Sequence, residues 1–256
     1  MYFETHAHYD FKQFNDDRDE LLARILPDFG ISHIINVGTS MRSSRDGLAL
    51  ANKYDYIYAT LGVHPHNAKD IGDGDIDKLA DMALDPKVVA IGEIGLDFYY
   101  DHSPRDIQIK RFKQMLGLGI DLDMPLVIHC RDAEQETFDI LKESRAGERV
   151  GGVMHCFSHN AMRAQKYFEL GWHIGVGGVV TYKNAQILRD VVAITPRERL
   201  LLETDCPYLS PDPNRGKRND SCNLQHIAEK IAEIWDTTPE EVARVTTENA
   251  KRLFRI

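Results

Sequence analysis

At 256 residues, 43% hydrophobic and 28% charged, the chain has the size of one (β/α)₈ barrel (about 250 residues) and enough apolar material for a sizeable core. No apolar run approaches the roughly 18 residues of a membrane span, and no basic segment leads into an apolar one at the start, so the expectation is a soluble, cytoplasmic protein with no membrane partner. The net charge of −9 excludes a broad grip on nucleic-acid phosphates; any such contact has to be local, with metal cations supplying positive charge.

The chain opens on Met1-Tyr-Phe-Glu-Thr-His-Ala-His8. On an extended segment, residues two apart face the same way, so His6 and His8 can converge on one point, as a metal ion requires. A lone His-x-His is equally compatible with a terminal pair that binds nothing, so its meaning depends on what the rest of the chain brings to the same place.

Strand-type apolar runs are expected at Tyr2–Thr5, His33–Val37, Tyr56–Leu61, Val88–Glu93, Leu126–His129, Gly152–His155, Trp172–Val176 and Leu200–Glu203. Amphipathic stretches alternate with them near 17–29, 40–54, 75–85, 104–122, 133–146, 160–170, 183–193 and 222–235. Eight strands alternating with eight helices read as parallel βα units, and runs such as Pro125-Leu-Val-Ile-His129 suit a sheet buried on both faces. Thr238-Pro-Glu-Glu241 carries a helix N-cap, a proline at the first helical position and acidic residues in the first turn, which predicts an extra C-terminal helix. No linker or low-complexity tract interrupts residues 1–256, so the expected architecture is a single-domain TIM barrel.

On that frame the chemically capable residues fall at one end of their strands. His6 and His8 follow strand one, His64 and His66 strand three, Glu93 ends strand four, His129 strand five and His155 strand six, and Asp205 follows strand eight. This is the end at which barrel active sites are built. Six ligands, His6, His8, Glu93, His129, His155 and Asp205, exceed the three protein ligands of a single tetrahedral catalytic ion. They suit two divalent cations that share a carboxylate, with Glu93 central enough in strand order to bridge. Imidazoles favour Zn or another transition ion, whereas phosphodiester chemistry also runs on Mg or Mn.

The cysteines Cys130, Cys156, Cys206 and Cys222 show no C-x-x-C spacing, and free thiols are expected. Cys130 and Cys156 each follow a proposed ligand, so strand alternation should turn them outward as small buried hydrophobes; for Cys206, nearer the loop, alternation decides less. His33 and His173 sit at strand starts, His226 on a helix surface, and His102 and His159 in loops.

Taken together, Glu4-Thr-His-x-His8, Gly62-Val-His-Pro-His66, Gly92-Glu-Ile-Gly-Leu-Asp-Phe-Tyr99, Val127-Ile-His-Cys-Arg-Asp-Ala133, His155-Cys-Phe-Ser158 and Leu202-Glu-Thr-Asp-x-Pro-Tyr-Leu209 resemble the TatD family of metal-dependent deoxyribonucleases, from residue 1 to Phe254. The resemblance implies an amidohydrolase-like TIM barrel with two divalent metals that hydrolyses DNA, often from the 3′ end. It would place His6, His8, Glu93 and Asp205 on the first metal, and Glu93, His129 and His155 on the second. His64 would lie near the substrate phosphate. Three departures bear on substrate preference more than on metal binding. Glu4 stands where the family usually has Asp, Arg218-Asn219 runs into Asp220-Ser-Cys-Asn223, and His159 replaces a usual glycine.

The chemistry expected is attack on phosphorus by water activated between cations, with Asp205 as general base and Glu93 and His64 completing the catalytic set. Arg131 offers a planar fork to a phosphate oxygen, or an ion pair to Asp132. The basic loop Asn214-Arg-Gly-Lys-Arg-Asn219 offers Arg215, Lys217 and Arg218 as local phosphate contacts, with a plain solvated turn as the competing account. Phe98, Tyr99 and Tyr100 could stack a terminal base or simply pack their loop. The expected partner is DNA, single-stranded or at strand ends; the oligomeric state stays open, a monomer being one option. The alternative is an amidohydrolase acting on a small ester, lactone or amide, although many such enzymes bridge their metals with a carboxylated lysine where this chain has Glu93. A second alternative, a non-catalytic metal-binding barrel, would be expected to lack one of the ligands, and none is missing.

Overall fold

The computed structural model describes residues 1–256. Strands β1 (Tyr2–Ala7), β2 (Ile31–Val37), β3 (Ile57–Leu61), β4 (Val88–Asp97), β5 (Leu126–Arg131), β6 (Gly152–Met154), β7 (His173–Val176) and β8 (Leu200–Leu202) form one parallel sheet in chain order. Between them run α1 (Arg18–Phe29), α2 (Met41–Lys53), α3 (Asp73–Met82), α4 (Arg105–Asp121), α5 (Glu134–Ser144), the single turn α6 (Ala146–Arg149), α7 (Ala161–Glu169) and α8 (Gln186–Ile194). After β8 come α9 (Leu224–Trp235) and α10 (Pro239–Phe254). The expected TIM barrel is therefore present, with α6 as an unanticipated addition.

The sheet closes where β1 meets the end of β8. Ala7 bridges Cys206, the His8 amide donates to the Cys206 carbonyl at 2.9 Å, and the Asp205 amide donates to the His6 carbonyl at 2.9 Å. Glu4 reinforces the seam: its buried carboxylate accepts from the Thr204 amide at 2.9 Å and the Thr204 hydroxyl at 2.6 Å. A buried carboxylate is tolerated only when hydrogen-bonded in this way. The residue that departs from the usual aspartate thus joins the first strand to the last, between the two segments that carry His6, His8 and Asp205.

Strand ends differ from expectation in ways that matter for the site. β4 continues four residues past Glu93, to Asp97. Gly95 permits this, at φ 143° and opposite His129 in the β4–β5 ladder. A Cβ there would lie 1.9 Å from the His129 carbonyl oxygen, so only glycine allows the two strands to stay this close. Conversely, β6 stops at Met154 and β8 at Leu202, which leaves His155 and Glu203 just beyond their strands.

The core has two parts. A large cluster fills the space between strands and surrounding helices. A smaller one gathers inward-facing Phe3, Ile35, Val89, Val127, Val153 and Leu201 against Ala250, Leu253 and Phe254 of α10. The extra helix therefore seals the amino-terminal mouth of the barrel, away from the loops that carry the site. Its start is capped by the Thr238 hydroxyl, which accepts from the Glu241 amide at 3.3 Å, with Pro239 at the first helical position and Glu240 and Glu241 in the first turn. Thr238→Ala is expected to cost about 1 kcal/mol. Calorimetry should show a Tm lower by about 2–4 °C, with activity intact because the cap lies at the opposite end from the site.

Candidate metal centre

Four side-chain atoms converge at the β1–β8 seam. His6 Nε2 and His8 Nε2 are 3.3 Å apart. His6 Nε2 lies 3.5 Å from Glu93 Oε2 and 3.8 Å from Asp205 Oδ1, and His8 Nε2 lies 3.9 Å and 3.4 Å from the same two oxygens. Ligands at about 2.0–2.2 Å from a tetrahedral Zn²⁺ stand about 3.3–3.6 Å from one another. The five separations above, 3.3–3.9 Å, are close to the edges of such a polyhedron, and each of the four atoms can present a lone pair to a cation among them. His8 makes this explicit: its Nδ1 is 3.0 Å from the Val37 carbonyl, so the ring proton belongs there and Nε2 is left as a lone pair.

The other Glu93 oxygen serves a second group. Oε1 lies 2.9 Å from His129 Nδ1, 3.6 Å from His64 Nε2 and 3.7 Å from His155 Nε2. Close approach of β3 to β4 sets this up: a Cβ on Gly62 would fall 2.3 Å from the Gly92 carbonyl carbon, so glycine is needed for His64 to stand beside Glu93. All six expected metal ligands thus come together with His64, while His66 turns to Asp97 at 3.0 Å, on the edge of the cluster.

His64 differs from the other imidazoles in its proton. Its Nδ1 accepts the His66 amide at 3.1 Å, which leaves the proton of the neutral ring on Nε2. Burial, then the neighbouring His129, hold its pKa well below the ordinary value. His64 is therefore a neutral donor aimed into the site, suited to an oxygen of a substrate rather than to a cation.

Two carboxylates that sequence reasoning passed over stand behind the expected ligands His129 and His155. Asp97 Oδ2 lies 3.1 Å from His129 Nε2 and 3.0 Å from His66 Nε2, and its Oδ1 accepts the Tyr99 and Tyr100 amides at 3.1 and 2.9 Å. Glu203 Oε1 lies 3.1 Å from His155 Nδ1 and accepts the Cys156 amide at 2.6 Å. A carboxylate behind the non-coordinating nitrogen fixes the tautomer of a metal-binding histidine. The signal was in the spacing: Asp97 is four residues from Glu93, hence on the same strand face, and Glu203 is two before Asp205.

Charge follows this geometry. Burial alone would raise the Glu93 pKa, but the imidazoles around it, His64 and His155 foremost, hold it well below the usual carboxylate range. Burial is likewise outweighed at Asp205, by the His8 hydrogen bond and then His155 and His6. Burial would lower His155, yet Glu203, Glu93 and Asp205 push it up to about 10. Burial would lower His129 too, and Asp97 and Glu93 raise it. Without a cation, His155 holds a proton at pH 7 that coordination must displace, and His129 keeps its proton more firmly than a free imidazole does. Metal binding is therefore expected to release protons and to tighten as pH rises from 6 to 8. Titration calorimetry of the apoprotein in buffers of differing ionisation enthalpy checks this; a buffer-independent heat would contradict it.

The remaining expected site residues are more scattered. The Arg131 guanidinium rests over Tyr99 and Tyr100, at 4.2 and 4.8 Å from the ring centroids, rather than pairing with Asp132. Arg215 lies over Tyr182 at 4.2 Å, and Lys217 Nζ is 3.4 Å from Asn214 Oδ1. Arg218 is engaged within the protein: it donates to both Asp17 oxygens at 2.7 and 2.6 Å and to the Gln13 carbonyl at 2.9 Å. Tyr99 and Tyr100 are exposed whereas Phe98 is buried, so the loop packs through one ring and presents two. All four cysteines are free. Cys130 turns toward Thr137 of α5, as alternation requires. Cys156 does not follow it, because β6 has already ended and its φ is +44°. Its amide donates to Glu203 at 2.6 Å, beside His155, on the site side, and burial, then Asp205, Glu203 and Glu93, push its thiol well up. His33 stacks on Phe3 and His226 meets Glu229 on the surface.

An eight-stranded βα-barrel whose carboxyl-terminal mouth holds clustered histidines around a shared, ionised carboxylate defines the class: a metal-dependent hydrolase. Comparison with known proteins refines this. The profile of the TatD related DNases matches residues 3–255, and the chain belongs to that family. It is 43% identical to the uncharacterized metal-dependent hydrolase YabD of Bacillus subtilis over the full length of both. It is 35% identical to the 3′-5′ ssDNA/RNA exonuclease TatD of Salmonella typhimurium over 95% of each chain. The crystal structure of YJJV, a TatD homologue from Escherichia coli, superposes with a TM-score of 0.93 at 32% identity, covering 100% of this chain and 98% of that one. A phosphotriesterase homology protein from Escherichia coli matches at 16% identity and TM-score 0.69, a likeness of fold alone. No helix is long and apolar enough to cross a membrane.

Proposed function

We propose that the protein hydrolyses phosphodiester bonds at the 3′ end of single-stranded DNA with two divalent cations. His6, His8, Glu93 and Asp205 would hold one, and Glu93, His129 and His155 the other. The observation that carries this reading is the division of Glu93, with Oε2 toward the His6–His8 pair and Oε1 toward His129 and His155. A shared carboxylate between two donor sets is the arrangement of two-metal phosphodiester chemistry. Family membership and the exonuclease activity named for the Salmonella relative support the substrate class.

Bound divalent cations at such a centre lower the pKa of water and neutralise charge that develops on phosphoryl oxygens. The protein's own groups supply the rest. Asp205 is ionised and is the more open of the two central carboxylates, with its side chain 17% exposed against 4% for Glu93. It accepts the proton of the attacking water as general base. His64 donates an Nε2–H hydrogen bond to a non-bridging phosphoryl oxygen, where the charge grows. Arg131, held flat on Tyr99 and Tyr100, and Arg215 and Lys217 in the loop after β8 contact phosphates further along the strand. These few cations meet the need for local contacts on a chain of net charge −9. Arg218 is assigned to holding that loop through Asp17.

The test is turnover of a 5′-labelled single-stranded oligonucleotide with Mg²⁺, Mn²⁺ or Zn²⁺, beside lactone, amide and phosphotriester substrates. Progressive shortening from the 3′ end, with activity lost in the Glu93→Ala/His129→Ala double variant, is expected. Turnover confined to lactones, amides or triesters would move the protein to the small-molecule class. Asp205→Asn should lower kcat about 10²–10⁴-fold, the usual range for a general base, and flatten the acidic limb of the pH–rate profile.

A further inference from the structure

Beside the metal centre, between the segment after β6 and the segment after β7, lies a cavity of about 200 Å³ that the chemistry above does not use. Its wall includes Cys156 and Phe157, which follow His155, with Gly175, Gly177, Val179 and Ile187 opposite. No lining residue is charged. The cavity is one side chain from the reacting centre: Glu203, which meets His155 Nδ1 at 3.1 Å, also accepts the Cys156 amide at 2.6 Å. On the far side, a Cβ on Gly175 would fall 2.1 Å from Glu203 Oε2. Gly175 and Gly177 line the cavity with backbone alone, the missing Cβ of Gly175 leaving room for Glu203, and the Phe157 ring, itself buried, forms part of the wall.

We propose that this cavity receives the nucleobase of the terminal nucleotide being removed, an inference that rests on the phosphodiesterase reading above. The shape and chemistry argue for a base over the other parts of a nucleotide. An uncharged, largely apolar chamber with an aromatic wall suits a flat π-face and offers nothing to a phosphate. Phosphate chemistry is concentrated next door, at the histidines and carboxylates. The segment that carries Val179 also holds a cation: Tyr182, whose amide donates to the Val179 carbonyl at 3.0 Å, has the Arg215 guanidinium over its ring at 4.2 Å. A strand with its terminal base in the cavity and its scissile phosphate at the centre would have Arg215 close to its backbone. Because a π-face is common to all four bases, the pocket should confer little sequence preference.

The experiment compares two single-stranded oligonucleotides, one ending in a normal 3′ nucleotide and one in an abasic tetrahydrofuran nucleotide. KM and kcat for release of the terminal unit are measured for each. For the wild-type enzyme the abasic end should raise KM about tenfold or more, the loss expected for one stacked base. Ile187 is 63% exposed at the cavity edge, so Ile187→Trp can fill the opening with little risk to folding. It should raise KM for the base-ended strand toward the abasic value, so that the ratio of the two falls to near one. Val179→Trp repeats the test from a second position on the same wall, with circular dichroism confirming the fold. Equal wild-type KM values for the two strands, or a Trp variant that weakens both equally, would overturn the base pocket while leaving the phosphodiesterase reading in place. Release from neither strand with Mg²⁺, Mn²⁺ or Zn²⁺ would overturn that reading, and the pocket with it.

Discussion

Glu93→Gln is expected to reduce DNA hydrolysis about a thousand-fold and to lower the metal content of the purified protein by at least one ion per chain. Glu93 is the only residue with an oxygen in each donor set, and it is buried in β4. An amide in its place keeps the volume but removes the negative charge and one acceptor. Cations at such a centre contribute several kcal/mol of stabilisation to developing charge. About 4 kcal/mol corresponds to three powers of ten at 1.36 kcal/mol each. The loss should fall on kcat rather than KM, because the interactions removed strengthen as charge develops. Elemental analysis together with single-turnover rates separates this from unfolding, which would also abolish the circular dichroism of the barrel. A variant that retains full metal content and a rate within tenfold of wild type would remove Glu93 from the bridging role.

Much of this was legible from residues alone, because a barrel converts sequence alternation into position. Once Leu126–His129 and Val88–Glu93 read as neighbouring strands, His129 and Glu93 had to meet at one mouth, and they do so at 2.9 Å. Joining His6 and His8 to Asp205, about 200 positions away, needed only the closure that eight βα units impose. Three things were not legible, each for a physical reason. Strand ends depend on how closely neighbours can approach, so the extension of β4 through Gly95 to Asp97, opposite Arg131, appeared only in the ladder. Alternation fails where a strand ends, so Cys156, just past β6 with φ +44°, turned toward the site instead of the helices. Arginine partners are chosen by loops: Arg218 found Asp17 and Arg131 found the Tyr99 and Tyr100 rings, contacts that no local spacing encodes.

Asp97 and Glu203 give the second large expected effect. Each stands behind one imidazole of the His129–His155 set, holding the ring so that its other nitrogen faces Glu93. Replacing such a carboxylate typically costs 10–100-fold in metal affinity or activity. Asp97→Asn should therefore weaken cation binding by about that factor, and Glu203→Gln likewise. The deficit should be conditional: activity of either variant recovers as Mn²⁺ or Zn²⁺ is raised, whereas that of Glu93→Gln does not. Glu203→Gln should also lower the pKa of His155, because the largest charge that raises it disappears. Fewer protons would then be released when metal binds near pH 7, and the pH dependence of affinity would be shallower. Isothermal titration at two pH values measures both quantities on one sample. An Asp97→Asn protein with wild-type affinity and an unshifted metal requirement would mean that the barrel wall, rather than the carboxylate, aims His129.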